Sequence, residues 1–199
     1  MAFDEQRTHW DLKYEQGLPS LEKPDPFYLS AFDQFVAGLF PNGGTALDLA
    51  GGIGRHALWL AKRNWQVTVV DISEVAIHKL EEKAHQLDLT LDLLALDIKE
   101  YPFQSACFDL IVMFYHFDRD VCPRVLSTLK PGGILICKSS LSWRAYEGTA
   151  PVSIWPLAKG EILSMLPGLQ VMHHQERPVR GRGVVEYVGK KPSGGFVGN

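Results

Sequence analysis

The stretch LDLAGGIGRHA, residues 47–57, places three closely spaced glycines between an apolar run and a helix-forming segment. Residues 45–50 are short and apolar, which predicts a buried strand. Leu58 and Ala61 then share one helical face, which predicts a helix over residues 55–63. A strand that turns through glycines into a helix is the opening unit of an alternating α/β fold, so this stretch restricts the architecture strongly.

Strands and helices continue to alternate after this unit. Further strands are predicted at residues 66–70, 91–96, 108–114 and 134–137. Ser73 is a predicted N-cap, and the buried face of its helix is expected to carry Ala76, Leu80, Ala84 and Leu87. The next helix is marked by Val121, Val125 and Leu129 and is expected to end at LKPGG. The nearly continuous apolar run FDLIVMF is typical of a strand buried on both faces of a parallel sheet.

The C-terminal part of the sequence breaks this alternation. Residues 169–172 and 184–188 are strand-like, and the segment RPVRGRG between them leaves no room for a helix. These two strands are therefore expected to pair as an antiparallel hairpin. The predicted fold is a Rossmann-like, doubly wound, mostly parallel seven-stranded sheet with one antiparallel strand in a C-terminal hairpin.

Composition excludes several classes of function. A net charge of −3 over 199 residues gives no long-range attraction to nucleic acid or to an anionic membrane surface. The three cysteines lack metal-ligand spacing, so neither a disulfide framework nor a metal site is predicted, and a reducing cytoplasm is the expected location. No leader segment and no apolar run long enough to span a membrane is recognised. Oligomeric state is not predicted.

The glycines point to a nucleotide-like ligand. Gly52, Gly54 and Ala57 fit the GxGxxG/A dinucleotide pattern, and Asp71 follows Gly52 at the spacing of a ribose-binding carboxylate. This pattern alone is compatible with NAD. It is also compatible with a plain glycine turn at a tight strand-to-helix junction.

Asp48 distinguishes between NAD and a cationic ligand. A carboxylate just before the loop repels a pyrophosphate but attracts a cation, and S-adenosylmethionine (SAM) carries both a sulfonium and an ammonium group. Asp97, after the third strand, is placed to accept from an adenine amine, with Ile72 and Ile98 as apolar flanks, although a helix cap or a solvated loop acid would also explain it. The acids after three successive strands favour SAM over NAD.

Three segments in order, LDLAGGIGRHALWLAKRNWQVTVVDIS, FDLIVMFYHF and LKPGGILI, resemble those of class I SAM-dependent methyltransferases over about residues 42–138. HWDLKYEQGLP, GRHALWLA and VVEYVGKKP are similar to the tellurite-resistance (TehB-like) branch and its small-molecule relatives. The chain departs from the family pattern at Ala50, usually glycine, and at Gly51, often cysteine. Ala50 is expected to fit, because alanine tolerates most strand-end dihedrals.

The resemblance implies SAM as cofactor and S-adenosylhomocysteine (SAH) as product. Asp71 is implied to bind the ribose, Asp97 with Ile98 the adenine, and Arg55 the methionine carboxylate. The remaining implied cofactor residues are Asp48, Ala50, Gly51, Gly52, Gly54, Ile72 and Tyr115. Trp10 and Tyr14 match a WDxxY element that folds over SAM in similar enzymes, with ordinary helix packing as the alternative.

The implied reaction is methyl transfer to a small molecule by in-line displacement. Tyr115 and His116, after the fourth strand, are the candidate catalytic residues. Tyr115 is expected as a cavity wall or a SAM contact, and His116 as a general base or as a packed or solvent-facing histidine. Expected acceptors are tellurite or another chalcogen oxyanion, a thiol, or an amine or hydroxyl metabolite. The alternatives are a non-catalytic SAM-binding sensor or scaffold and, less favoured, an NAD-dependent oxidoreductase.

One domain is expected over residues 1–192. It divides into an N-terminal cap segment (1–41), a SAM-binding core (42–138), a substrate-facing loop (139–157) and a C-terminal helix and hairpin (158–192), followed by a flexible tail (193–199). Trp143, Tyr146 and Trp155 are predicted either to form aromatic walls for the acceptor or simply to pack the loop. Arginines in the hairpin either bind an anionic acceptor or form a solvated turn: Arg177, Arg180 and Arg182.

Overall fold

The computed structural model describes residues 3–17, 23–142, 156–179 and 182–194. The predictions for Trp143, Tyr146, Trp155 and Arg180, and most of the predicted tail, lie outside these ranges. None of the helices within them is long and apolar enough to cross a membrane. The chain forms two compact units, Met1–Pro102 and Phe103–Asn199.

The first unit contains three parallel strands and four helices among its described residues. Its elements are α1 (Phe3–Glu15), α2 (Pro26–Phe35), β1 (Thr45–Leu49), α3 (Arg55–Ala61), β2 (Gln66–Asp71), α4 (Glu74–Gln86) and β3 (Asp92–Ala95). β2 pairs in parallel with both β1 and β3. The predicted strands are confirmed within one or two residues, and the side chain of Ser73 caps α4 by accepting from the Ala76 N–H.

Parallel pairing brings acidic residues to one edge of these strands. Asp48 pairs in register with Val69, and Asp71 pairs with Ala95. Asp97 follows two residues after β3 ends. The carboxyl ends of β1, β2 and β3 therefore each carry an acid, as the sequence predicts.

The predicted buried face of α4 is correct except at its last residue. Ala76, Leu80 and Ala84 are buried, whereas Leu87 is 36% exposed. α4 ends at Gln86, so Leu87 is the C-cap and no longer follows the helical periodicity. α3 likewise ends earlier than predicted, at Ala61.

The second unit contains the remaining strands. Its elements are β4 (Phe108–Phe114), α5 (Cys122–Thr128), β5 (Leu129–Leu141), α6 (Glu161–Met165), β6 (Gln170–Val179) and β7 (Arg182–Lys190). β4 and β5 are parallel, and β7 is antiparallel to both β5 and β6. LKPGG belongs to the start of β5, so Leu129 lies in this strand and not in α5 as predicted.

The seven strands form one sheet in the order β3-β2-β1-β4-β5-β7-β6. Within the described residues, β7 is antiparallel to both β5 and β6, which confirms the predicted Rossmann-like, mostly parallel sheet with a C-terminal hairpin. Six of the seven residues of β4 are buried. This burial confirms that FDLIVMF is a strand enclosed on both faces.

Candidate functional site

The glycine loop joins β1 to α3 within the first unit. Gly52 has φ of 56°, and Gly54, with φ of 71°, is the N-cap residue of α3. A Cβ on Gly51 would come within 3.0 Å of the carboxyl carbon of Asp48. The expectation that Ala50 has an ordinary strand-end conformation is wrong. Its φ of 52° lies in the left-handed region that favours glycine.

Asp71 holds the glycine loop through its backbone. One carboxylate oxygen accepts from the Gly52 N–H at 2.7 Å and the other from the Ser73 N–H at 2.9 Å. Burial raises the pKa of Asp71 to about 6, while these two backbone bonds oppose the shift. The carboxylate is thereby held in one orientation, and its remaining lone pairs leave capacity for further donors.

Asp48 is buried beside the same loop. Its carboxylate accepts from the Ala57 N–H, yet Oδ2 has no hydrogen-bond partner within the part of the chain described. Burial raises the pKa of Asp48 to about 7, opposed mainly by the nearby Arg55. A buried carboxylate oxygen without a donor is costly, so this position favours a ligand that brings a proton donor or a cation.

Tyr14, on α1, covers the loop. A Cβ on Gly52 would overlap the hydroxyl oxygen of Tyr14, so this phenol lies directly against the loop. Burial, and then Asp71, raise the pKa of Tyr14 well above its usual range, so the hydroxyl is a neutral donor. Trp10 lies one turn earlier, partly buried, with its ring centroid 5.9 Å from that of Tyr14.

Asp97 is less enclosed than the other two acids. Its Oδ1 accepts from the Lys99 N–H at 2.9 Å, so this side chain caps a turn. Ile98 is buried and Ile72 is partly buried. Arg55 is partly buried in the first turn of α3. The first unit thus contains every predicted cofactor residue except Tyr115.

Tyr115 and His116 follow β4 in the second unit. Tyr115 is 42% exposed and has a φ of 60°, and its N–H donates to the carbonyl of Lys138 at 2.7 Å. A left-handed backbone at an aromatic residue costs about 1–2 kcal/mol. Such strain is frequent at functional sites, and Tyr115 is the aromatic member of the set of non-glycine residues with positive φ among the described residues. His116 is partly buried.

Arg177 belongs to an ion network that the sequence did not reveal. Its guanidinium donates to both carboxylate oxygens of buried Glu186, at 2.9 and 3.0 Å, and Lys138 Nζ lies 3.1 Å from the same carboxylate. Arg177 therefore links β6 to β7. Lys138 and Glu186 face each other in register, but pairing of β5 with β7 has no local sequence signal. The side chain of Arg182 lies outside the described part of the structure.

No group of three histidine, cysteine, aspartate or glutamate side chains that could hold a metal occurs among the described residues.

A mostly parallel seven-stranded sheet with a reversed β7, and a glycine loop with acids at its strand ends, is typical of the class I methyltransferases, whose methyl donor is SAM. Residues 46–133 match the model of a methyltransferase domain family. This part of the chain is therefore similar to the methyltransferase domains of that family. This result confirms the class predicted from the sequence.

Solved structures show the same fold. TehB from Haemophilus influenzae has a TM-score of 0.71 at 19% identity, over 82% of this chain, which spans only 60% of the TehB chain. The 1,6-didemethyltoxoflavin-N1-methyltransferase of Burkholderia thailandensis, solved with 1,6-didemethyltoxoflavin and SAH, has a TM-score of 0.69 at 16% identity, covering 96% of this chain and 91% of that one.

A third similar structure is named as a catalyst of another reaction. The [4+2]-cyclase SpnF has a TM-score of 0.67 at 18% identity, covering 83% of this chain and 82% of its own. Fold similarity at these identities does not determine the reaction. No curated protein sequence matches this chain.

Proposed function

We propose that the protein binds SAM in the first unit and transfers its methyl group to a small-molecule acceptor. The buried Asp48 carboxylate, whose Oδ2 has no donor among the described residues, is the observation that supports SAM most strongly. The ammonium or sulfonium of SAM supplies a cation to this carboxylate. The pyrophosphate of NAD would bring a second negative charge to the same place.

Each predicted residue has a proposed role at this cofactor site. Asp71 holds Gly52 and accepts from the ribose hydroxyls, and Asp97 accepts from the adenine amine. The residues proposed to contact the rest of the cofactor are Trp10, Tyr14, Ala50, Gly51, Gly54, Arg55, Ile72, Ile98 and Tyr115. The positions of Asp71 and Tyr14 against the glycine loop support this proposal, and the other assignments rest on the resemblance of the sequence to class I methyltransferases.

Methyl transfer is an in-line displacement that depends mainly on positioning the donor and acceptor. We propose Tyr115 as an acceptor-side wall, supported by its exposed and strained position, and His116 as the general base for acceptors that need deprotonation. The proposed acceptors are tellurite or a related oxyanion, a thiol, or an amine or hydroxyl metabolite. Small acceptors agree with the substrate named for the toxoflavin enzyme.

We further propose one functional domain over residues 1–192 and a reducing, cytoplasmic location. The location is supported by the three cysteines, Cys107, Cys122 and Cys137, which are free thiols. We propose that this domain has the parts predicted from the sequence: a cap segment, a SAM-binding core, a substrate-facing loop, and a C-terminal helix and hairpin.

Calorimetric titration with SAM and SAH tests the cofactor assignment. The wild-type protein is expected to bind SAH with a Kd near the micromolar range, about −8 kcal/mol. Asp48→Asn should weaken SAM binding by roughly 10- to 100-fold, because a charged partner is lost. Asp33→Asn changes an exposed acid on α2 and should have no effect. A folded wild-type protein that binds neither ligand would contradict the proposal.

An acceptor screen separates the enzyme from a non-catalytic SAM sensor. SAH release is measured with oxyanions, thiols and small amines or phenols as acceptors. His116→Ala is expected to keep SAH affinity while turnover falls on acceptors that need deprotonation. Tight SAM binding without SAH release from any acceptor would favour the sensor.

A further inference from the structure

Asp11, in the WDxxY element, ties α1 to the start of α4. Its Oδ1 accepts from the Ser73 hydroxyl at 2.6 Å and from the Val75 N–H at 3.3 Å. The Lys79 ammonium donates to the Tyr14 carbonyl at 2.5 Å. α1 is therefore fastened to α4 by partly buried hydrogen bonds.

The same contacts continue to the glycine loop. The Ser73 N–H donates to one oxygen of Asp71, and the other oxygen accepts from the Gly52 N–H. Gly52 in turn lies against the hydroxyl of Tyr14, on α1. The contacts thus form a closed circuit that leaves α1 at Asp11 and returns to it at Tyr14.

Ser73 is the branch point of this circuit. Its hydroxyl oxygen accepts from the Ala76 N–H at 3.1 Å while its single proton goes to Asp11. Asp11 thereby sets the direction in which the Ser73 hydroxyl donates. The backbone N–H of this same residue orients Asp71.

We propose that Asp11 is a positioning residue for the cofactor site, acting through Ser73 on the Asp71 carboxylate and on Gly52. This inference deepens the proposed function and rests on it. The hydrogen bonds of the Asp11 carboxylate go to Ser73 and Val75, at the start of α4, and its charge also helps to raise the pKa of Asp71. The proposed positioning passes through the hydrogen bond to Ser73. Docking of α1 and affinity for the cofactor are then coupled.

Affinity for SAH, measured by calorimetry at a temperature where every variant is folded, tests this coupling. Asp11→Ala should weaken binding by about 5- to 30-fold, the range for a lost hydrogen bond to a charged group. Asp11→Asn keeps an acceptor oxygen for Ser73 and should stay within about threefold of wild type.

Two control variants separate positioning from general destabilisation. Asp4→Ala removes an exposed acid from the same helix, and Lys191→Met removes a helix cap in the second unit. Both should retain wild-type affinity. Equal losses for Asp11→Ala and either control would overturn the inference.

The route through Ser73 is tested by a double-mutant cycle. In a Ser73→Ala background, Asp11→Ala should change SAH affinity by less than about twofold, because the link is already broken. Fully additive losses would show that Asp11 acts by another route and would overturn the inference.

Hydrogen exchange of the Gly52 amide gives a readout that needs no ligand. Asp11→Ala should speed this exchange by about tenfold or more, whereas Asp4→Ala should leave it unchanged. Unaltered Gly52 exchange in Asp11→Ala overturns the positioning role. Absence of SAH binding to the wild-type protein, with faster Gly52 exchange in Asp11→Ala, instead overturns the proposed cofactor.

Discussion

Ala50 adopts a left-handed backbone, with φ of 52°, at the point where β1 turns into the glycine loop. An L-residue with a Cβ pays about 1–2 kcal/mol there, whereas glycine loses about 0.5–1 kcal/mol more conformational entropy on folding. Ala50→Gly should therefore increase the free energy of unfolding by about 0.5–1 kcal/mol, measured by urea denaturation. Ala37→Gly, in a turn without positive φ, should decrease it, and a decrease in both variants would contradict the strain at Ala50.

Asp48 makes both stability and ligand binding depend on pH. Its folded-state pKa of about 7 exceeds the ordinary value of 3.8 because the carboxyl is buried. Between these values the folded protein holds a proton that the unfolded chain lacks. The free energy of unfolding contributed by this group is therefore complete below the lower pKa and falls as pH rises through about 7.

A cationic ligand favours the ionised form of Asp48, so SAM binding should release protons. At about pH 6.5, Asp48 is still largely protonated, whereas Asp71, with a pKa of about 6, is mostly ionised. Calorimetry in two buffers of different ionisation enthalpy should show release of up to about three-quarters of a proton from Asp48. Asp48→Asn should remove most of this release. Equal heats in both buffers for the wild-type protein would contradict the prediction.

At the scale of elements, Lys191 holds the end of α5. Its ammonium donates to the carbonyls of Leu126 at 2.7 Å and Leu129 at 2.6 Å. These carbonyls lie where a helix leaves acceptors unsatisfied. Lys191→Met should lower the free energy of unfolding by about 1–3 kcal/mol, measured by denaturation, whereas Lys159→Met at an exposed position should change it little. Similar stability of the two variants would show that the cap contributes nothing.

Local signals explain which elements the sequence predicts correctly. β4 is defined by its apolar run, and α4 by the Ser73 cap and by the helical spacing of its buried residues, Ala76, Leu80 and Ala84. Element ends are less accurate, as at Leu87, because termini depend on hydrogen bonds that periodicity does not encode.

The candidate site likewise contains residues that the sequence predicts and contacts that it does not. Strand-end acids follow from the alternation of strands and helices, so Asp48 and Asp71 are predictable. The Asp11–Ser73 bond joins residues 62 positions apart and depends on how α1 packs. The sequence does not predict this packing, because α1 has only a weak pattern of apolar and polar residues. The ion network around Glu186 likewise requires the pairing of β7 with β5 to be known first.

At the scale of the whole molecule, the two compact units contain different parts of the proposed machinery. The proposed cofactor residues lie in the first unit, apart from Tyr115, and the proposed general base His116 lies in the second. Binding of SAH to the folded protein should nevertheless raise its apparent stability, because any ligand that prefers the folded state does so by mass action.

A thermal shift comparison of SAH with NAD tests this linkage. At about 100 times its Kd, SAH should add about 2.7 kcal/mol to the free energy of unfolding, which corresponds to roughly 5–10 °C in Tm for a chain of this size. NAD at the same concentration should produce no shift, because the buried Asp48 carboxylate opposes a pyrophosphate at the glycine loop. A shift with NAD and none with SAH would show that the glycine loop binds a dinucleotide and not SAM. Shifts of equal size with both ligands would show that Asp48 does not discriminate between them, and the electrostatic argument for SAM would fail.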